Sequence, residues 1–170
     1  MPAVPSLRDV QRRLRTTVES VASSRAGSWY IINVSAKVDP WILKRTDGRL
    51  SAMPGVPVLL LLHTGAKSGK VRETPLVYVT DGDDVVLIAS KGGAPEHPRW
   101  YSNLLVNPEC SLVVKDRSGR YYAREATGPR RARLWTKALE VYGGYEVYQR
   151  RAGGRRVPVM VLSPVSAGSP

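Results

Sequence analysis

Four clusters of side chains in this sequence carry residue types and spacings suited to chemistry. The first is Thr64-Gly65-Ala66-Lys67-Ser68-Gly69-Lys70-Val71-Arg72. Its glycines let backbone amides approach an anion, Ser68 adds a hydroxyl, and Lys67 and Arg72 add charge. Such a segment can hold a phosphate or a carboxylate. It is not a P-loop, because Val71 follows Gly69-Lys70 where GxxxxGK[ST] needs a hydroxyl residue. Taken alone it also reads as a basic hairpin turn, since glycine and serine favour turns for their own reasons. The second cluster, Ala89-Ser90-Lys91-Gly92-Gly93, leaves a strand for a loop. A Ser-Lys nucleophile pair would need a Ser-x-x-Lys helix start and an oxyanion-hole partner, and neither is present. The segment reads instead as a glycine loop whose amides face a flat ligand, with Ser90 as a hydrogen-bond donor.

The third cluster is His97-Pro98-Arg99-Trp100-Tyr101-Ser102-Asn103. Trp100 and Asn103 lie one helical turn apart and share a face, where an indole and an amide can wall and anchor an aromatic heterocycle. Trp100 fits a plain core position as well. The fourth is Tyr142, Tyr145 and Tyr148, whose spacing of three makes a slowly drifting helical stripe. A phenol there can deliver a proton, or hydrogen-bond a carbonyl or nitro oxygen. The same stripe fits an aromatic seam between helix and sheet. Gly143-Gly144 inside it predicts a hinge of the sort a lid uses.

The elements that must position these groups are mostly short strands. Val56–Thr64 is an apolar run of the kind buried on both faces, followed by a strand over Val71–Thr80. Pro75 within that strand implies an edge or a bulge, because proline cannot donate to a ladder. Asp81-Gly82-Asp83 predicts a hairpin turn into a strand over 84–91. A short helix opens at His97-Pro98 and closes before Asn107-Pro108. Strands over 110–115 and 120–127 pair across Ser118-Gly119, a basic helix runs from Gly128-Pro129 toward Arg151 with a weak point at Gly143-Gly144, and a last strand covers 157–162. Strand order with hairpin connections, lacking βαβ units, predicts a mainly β chain with flanking helices: an antiparallel barrel with helices outside it.

Ahead of this barrel, expected over 51–165, residues 1–50 read as an amphipathic helix and linker. Leu7, Val10, Leu14, Val18 and Val21 form one apolar stripe between about Ser6 and Ser23, among Arg8, Arg12, Arg13 and Arg15. Trp29, Tyr30 and Trp41 follow in a less regular basic segment. This helix packs on the barrel or touches an anionic membrane peripherally.

Composition narrows the function classes. The chain has 170 residues and 42% apolar side chains, enough for one packed domain. It has no Phe but four Trp and eight Tyr, so its large rings carry polar handles. A net charge of +12 favours a polyanionic partner: nucleic acid, acidic lipid, or a phosphorylated or polycarboxylate small molecule. Nucleic acid is not the expected partner, because such barrels display aromatics on exposed strands and here the rings gather in or beside helices. Cys110 is the sole cysteine, which excludes an internal disulfide, and His63 and His97 lack ligand spacing, so no metal is expected. With no spanning apolar run and no signal-peptide core, a cytoplasmic location is expected.

The ordered set Thr64-Gly65-x-Lys67-Ser68-Gly69-x-x-Arg72-x-x-Pro75-Leu76, Ser90-Lys91-Gly92-Gly93, Pro98-x-Trp100-Tyr101-x-Asn103-Leu104 and Asn107-Pro108 resembles the deazaflavin (F420)-dependent nitroreductase family. The resemblance covers about Pro54 to Pro164 and implies a split β-barrel that binds coenzyme F420, a deazaflavin with a phosphate and an oligoglutamate tail. It implies that Lys67, Ser68, Gly69 and Arg72 meet the phosphate. Pro75, Ser90, Lys91, Gly92, Gly93, Trp100 and Asn103 would line the ring and its linker. Tyr142, Tyr145 and Tyr148, with Ser90, would be the catalytic candidates, and a quinone, a coumarin-like enone or a nitro compound the small-molecule hydride acceptor. An FMN-binding split barrel would use a similar cradle. Val77 departs from some nitro-active relatives, which carry tyrosine there. Tyr78 should face the other side of the strand, which favours a quinone or enone acceptor.

Overall fold

A computed structural model describes residues 36–53 and 56–165. The helix expected at 6–23, and with it the membrane contact, lies outside the described residues. Six antiparallel strands close a barrel in the order β1-β2-β3-β6-β5-β4. They are β1 (Val58–Thr64), β2 (Val71–Asp81), β3 (Asp84–Ile88), β4 (Glu109–Val113), β5 (Gly119–Glu125) and β6 (Val159–Pro164). The helices are α1 (Ala36–Arg45), α2 (Arg99–Val106), α3 (Gly128–Val141) and α4 (Gly144–Arg151), and a 3₁₀ turn spans Lys91–Gly93. The expected barrel with outer helices is the one observed. None of the described helices is long and apolar enough to cross a membrane.

The hydrophobic pattern of each strand follows from what covers its two faces. β1 is apolar from Val58 to Leu62 because Leu59 and Leu61 fill the barrel while Val58 and Leu60 meet Leu43 of α1 outside it. β5 alternates: Tyr121 and Ala123 point inward, and Tyr122 and Arg124 stay exposed. On the outer face of β3 and β6 a second apolar layer, including Val86, Ile88, Val159 and Val161, packs under Leu134 and Ala138 of α3.

Three local expectations are revised. Residues 36–45 form a helix where the sequence looks irregular, since burial of Leu43 and Asp39 outweighs the hydrogen bond that Pro40 removes. The strand expected to reach Lys91 stops at Ile88: Ser90 N turns back to Ile88 O at 2.9 Å, and Lys91 takes a left-handed φ of 51°. The helix expected over 128–151 is two helices. Tyr142 caps α3, and its ring lies 2.4 Å from where a Cβ on Gly144 would sit, so only glycine permits the break.

Helix α3 is basic because it clamps an acidic hairpin. Arg133 makes two hydrogen bonds to Asp81, both 2.8 Å, Lys137 adds one at 3.2 Å, and Arg130 reaches Asp84 at 2.7 Å. The Arg133 hydrogen bonds hold the Asp81 carboxyl well below the usual carboxylate range. A carboxylate depressed in the folded state stabilises above its unfolded pKa and loses that contribution as pH falls through the folded one. Asp81→Asn should therefore cost about 1 kcal/mol in urea unfolding at pH 7. The gap between wild type and variant should close progressively below about pH 4.

Candidate active site

The site lies where the barrel wall is open. β3 pairs with β2 only from Tyr78 to Asp81, whereas β1 pairs with Val71 to Val77. Residues 71–77 thus have a strand on one side alone. Tyr78 N donates to Pro57 O at 3.2 Å, so by antiparallel alternation the nitrogen of Pro75, opposite Leu60, points away from β1. Pro75 occupies the open edge that its missing N–H demands.

Against this edge lies a cavity of about 290 Å³. Thr74, Pro75, Leu76 and Val77 form one wall, Ser90, Lys91, Gly92 and Pro98 a second, and Trp100 with Tyr142, Tyr145 and Tyr148 a third. Asp39 and Met53 close the α1 side. Val77 faces this cavity side, whereas Tyr78 packs into the barrel core. The lining is mainly apolar with a small number of polar groups, as suits an aromatic heterocycle.

Of the sequence-derived candidates, Pro75, Ser90, Lys91, Gly92, Trp100 and the three tyrosines meet at the cavity. Lys67, Ser68, Gly69 and Arg72 do not line it; the first three stand exposed on the β1–β2 loop and Arg72 stands exposed at the start of β2. That loop is held by Gly65 N donating to Lys70 O at 2.9 Å and by Lys70 N donating to Ser68 Oγ at 3.4 Å. Asn103 lies outside the lining as well and reaches the loop, its Oδ1 accepting from Ala66 N at 2.9 Å. Gly93 is buried below the cavity against α4: a Cβ there would sit 2.6 Å from Arg151 Cβ and 2.8 Å from Tyr148 O.

The tyrosines form a buried triad rather than an exposed lid. Ring centroids are 5.1, 6.0 and 6.4 Å apart, and Tyr142 and Tyr148 share a hydroxyl–hydroxyl hydrogen bond of 3.0 Å. Burial pushes the Tyr145 phenol well above its ordinary value, so it stays protonated. Ser90 is 7% exposed, and its hydroxyl bonds to no protein group among the described residues.

Arg155 is a residue the sequence does not single out. Its guanidinium donates to Ala94 O at 2.7 and 3.1 Å, Ser90 O at 3.0 Å, Ala89 O at 3.3 Å and His97 Nδ1 at 3.2 Å. It gathers the carbonyls that a strand ending at Ile88 leaves without ladder partners. No local signal marks it, since its partners lie about sixty residues away. Arg155→Met should cost about 2 kcal/mol by leaving the Ala89 and Ala94 carbonyls without this donor, Ser90 O keeping its bond from Gly93 N. Amide hydrogen exchange of residues 89–94 should rise more than that of β1; uniform acceleration would contradict a local role.

A sequence pattern of the family described as F420H(2)-dependent quinone reductase matches residues 35–164. An F420H(2)-dependent quinone reductase of Mycobacterium tuberculosis (strain ATCC 25618 / H37Rv) is 41% identical over 127 residues, covering 72% of this chain and 85% of that protein. A solved F420-H2 dependent reductase, FDR-A, matches with a TM-score of 0.58 at 40% identity, covering 63% of this chain and 94% of its own. A solved domain-swapped dimer matches with a TM-score of 0.61 at 38% identity, covering 73% and 92%. An open-walled barrel, a mainly apolar slot and a basic loop thus coincide with the family pattern, and the chain belongs to the F420H(2)-dependent quinone reductase family, oxidoreductases whose coenzyme is F420.

Proposed function

We propose that this chain reduces a quinone at the expense of reduced F420, with the slot between β2 and α4 holding the ring and the β1–β2 loop holding the phosphate. The observation that carries this is the tether between the two: Asn103 on α2 accepts from Ala66 of the basic loop, one helical turn from Trp100 in the slot wall. The residues fit such a group. The slot is mainly apolar, and the adjoining loop presents Lys67, Ser68, Gly69 and Lys70, with Arg72 at the start of β2, exposed toward solvent, where an anionic tail can leave the site.

When bound, the coenzyme supplies the hydride. The protein's own part is to orient, to exclude water and to hold a proton. Lys67, Ser68, Gly69 and Arg72 bind the phosphate. Pro75, Ser90, Lys91 and Gly92 would bound the ring, with the Ser90 hydroxyl free to donate to it, while Gly93, packed against α4, would hold that turn in place. A quinone that gains a hydride also needs a proton on oxygen, and Tyr142, Tyr145 and Tyr148 place phenols on the wall they share with Trp100. With Val77 rather than a tyrosine facing the slot, enones remain acceptable acceptors and nitro compounds are the poorest fit.

The deciding experiment follows oxidation of reduced F420 with menaquinone, a coumarin and a nitroimidazole as acceptors. Menaquinone should turn over fastest and the nitroimidazole slowest. Turnover of none, together with tight FMN binding by fluorescence titration, would replace F420 by FMN. Replacing both Tyr142 and Tyr145 by Phe should lower kcat at least about tenfold while leaving coenzyme affinity within about twofold. Unchanged turnover would remove their proton role. Coenzyme binding should also weaken with salt, and more steeply for longer oligoglutamate tails; equal salt dependence with and without the tail would remove the electrostatic role.

A further inference from the structure

Near its end β1 carries a histidine that hydride transfer does not require. His63 is 4% exposed and continues the inward row of Leu59 and Leu61. Both ring nitrogens are engaged: Nε2 lies 3.1 Å from Thr74 Oγ1, and Nδ1 lies 3.1 Å from Asn103 Nδ2.

The far end of this chain sets every role in it. The Ala66 backbone N–H can only donate, and it donates to Asn103 Oδ1 at 2.9 Å. That fixes which end of the carboxamide faces the loop and turns the NH₂ group toward His63. An NH₂ group can only donate, so His63 Nδ1 accepts. A neutral imidazole accepting at Nδ1 carries its hydrogen on Nε2, which donates to Thr74 Oγ1. Burial, and secondarily the Arg72 charge, push the His63 pKa down to about 4, so the ring is neutral at physiological pH. A charged ring would set an N–H against the carboxamide NH₂.

Thr74 therefore receives a hydrogen from His63 and must send its own elsewhere. No other described residue hydrogen-bonds its hydroxyl, and Thr74 lines the slot beside Pro75. We propose that Thr74 is a ligand-binding residue: a hydrogen-bond donor aimed into the slot by the positioning residues His63 and Asn103. Its partner is an acceptor on the edge of the bound heterocycle, a carbonyl oxygen or an unprotonated ring nitrogen. The same relay ends at the anion-binding loop, so a loop seated on Asn103 and an oriented donor in the slot are one arrangement. This rests on the coenzyme assignment made above, and the test separates the two.

In the ligand-free chain, long-range ¹H–¹⁵N spectra of His63 should show the Nε2–H tautomer, unchanged between pH 7 and about 5.5. The Nδ1–H tautomer, or an imidazolium at pH 7, would overturn the relay. Fluorescence titration with oxidised F420 then reads the donor. Thr74→Val should weaken binding roughly tenfold, and Thr74→Ser, which keeps the hydroxyl, should bind within about twofold of wild type. Equal affinity of Thr74→Val and wild type would overturn the donor role. A wild-type chain that does not bind F420 overturns the coenzyme assignment and the ligand named for Thr74, while the tautomer still decides the relay.

Discussion

The site exists because two neighbouring strands differ in length. β2 has eleven residues and β3 has five, so the barrel wall cannot continue along the first half of β2, and an edge of backbone is left open. An open edge at the mouth of an apolar barrel must be covered or used. Here the 3₁₀ turn, α2, α4 and α1 stand around it without filling it. What keeps β3 short is equally physical. Lys91 and Gly92 turn left-handed, Gly93 is wedged against α4 with no room for a Cβ, and Arg155 supplies the hydrogen bonds that the missing ladder would have made.

From that constraint the remaining parts acquire their places. The break between α3 and α4 lets the Tyr142 ring fold under Gly144, bringing three phenols to one wall. A continuous helix would carry the same tyrosines on a drifting stripe and would hold the first and third apart, since six residues separate them by about 9 Å along the axis. On the opposite side, a run of polar contacts passes from the loop amide of Ala66 through Asn103 and His63 to Thr74. It crosses from the β1–β2 loop to the slot through the end of the barrel, where an unpaired polar group would be expensive.

The excess of positive charge has more than one use. Arg130, Arg133 and Lys137 are occupied in pinning α3 to the β2–β3 hairpin, and Arg155 serves backbone carbonyls. The basic side chains of the β1–β2 loop stay exposed and face the solvent beside the slot. Net charge alone cannot tell these uses apart, which is why composition left nucleic acid, lipid and small polyanions all open.

The sequence by itself determined the barrel, because alternation, turn chemistry and the run Val58–Leu62 are local signals that the closed sheet only has to satisfy. It also marked the polar punctuation of the site: the glycine-rich loop, Ser90-Lys91-Gly92-Gly93, Trp100 and the tyrosine spacing. Pro75 even declared its own edge position, since a missing N–H has one consequence wherever it falls. Tertiary structure alone decided which of these share a cavity and which stand outside it. Asn103 shares a helix face with Trp100 yet serves the loop, and Arg155, His63 and Thr74 carry no motif. Their roles depend on partners brought close by the closing of the barrel, and hydrogen bonds between residues eleven to sixty-six positions apart leave no periodicity for a sequence to display.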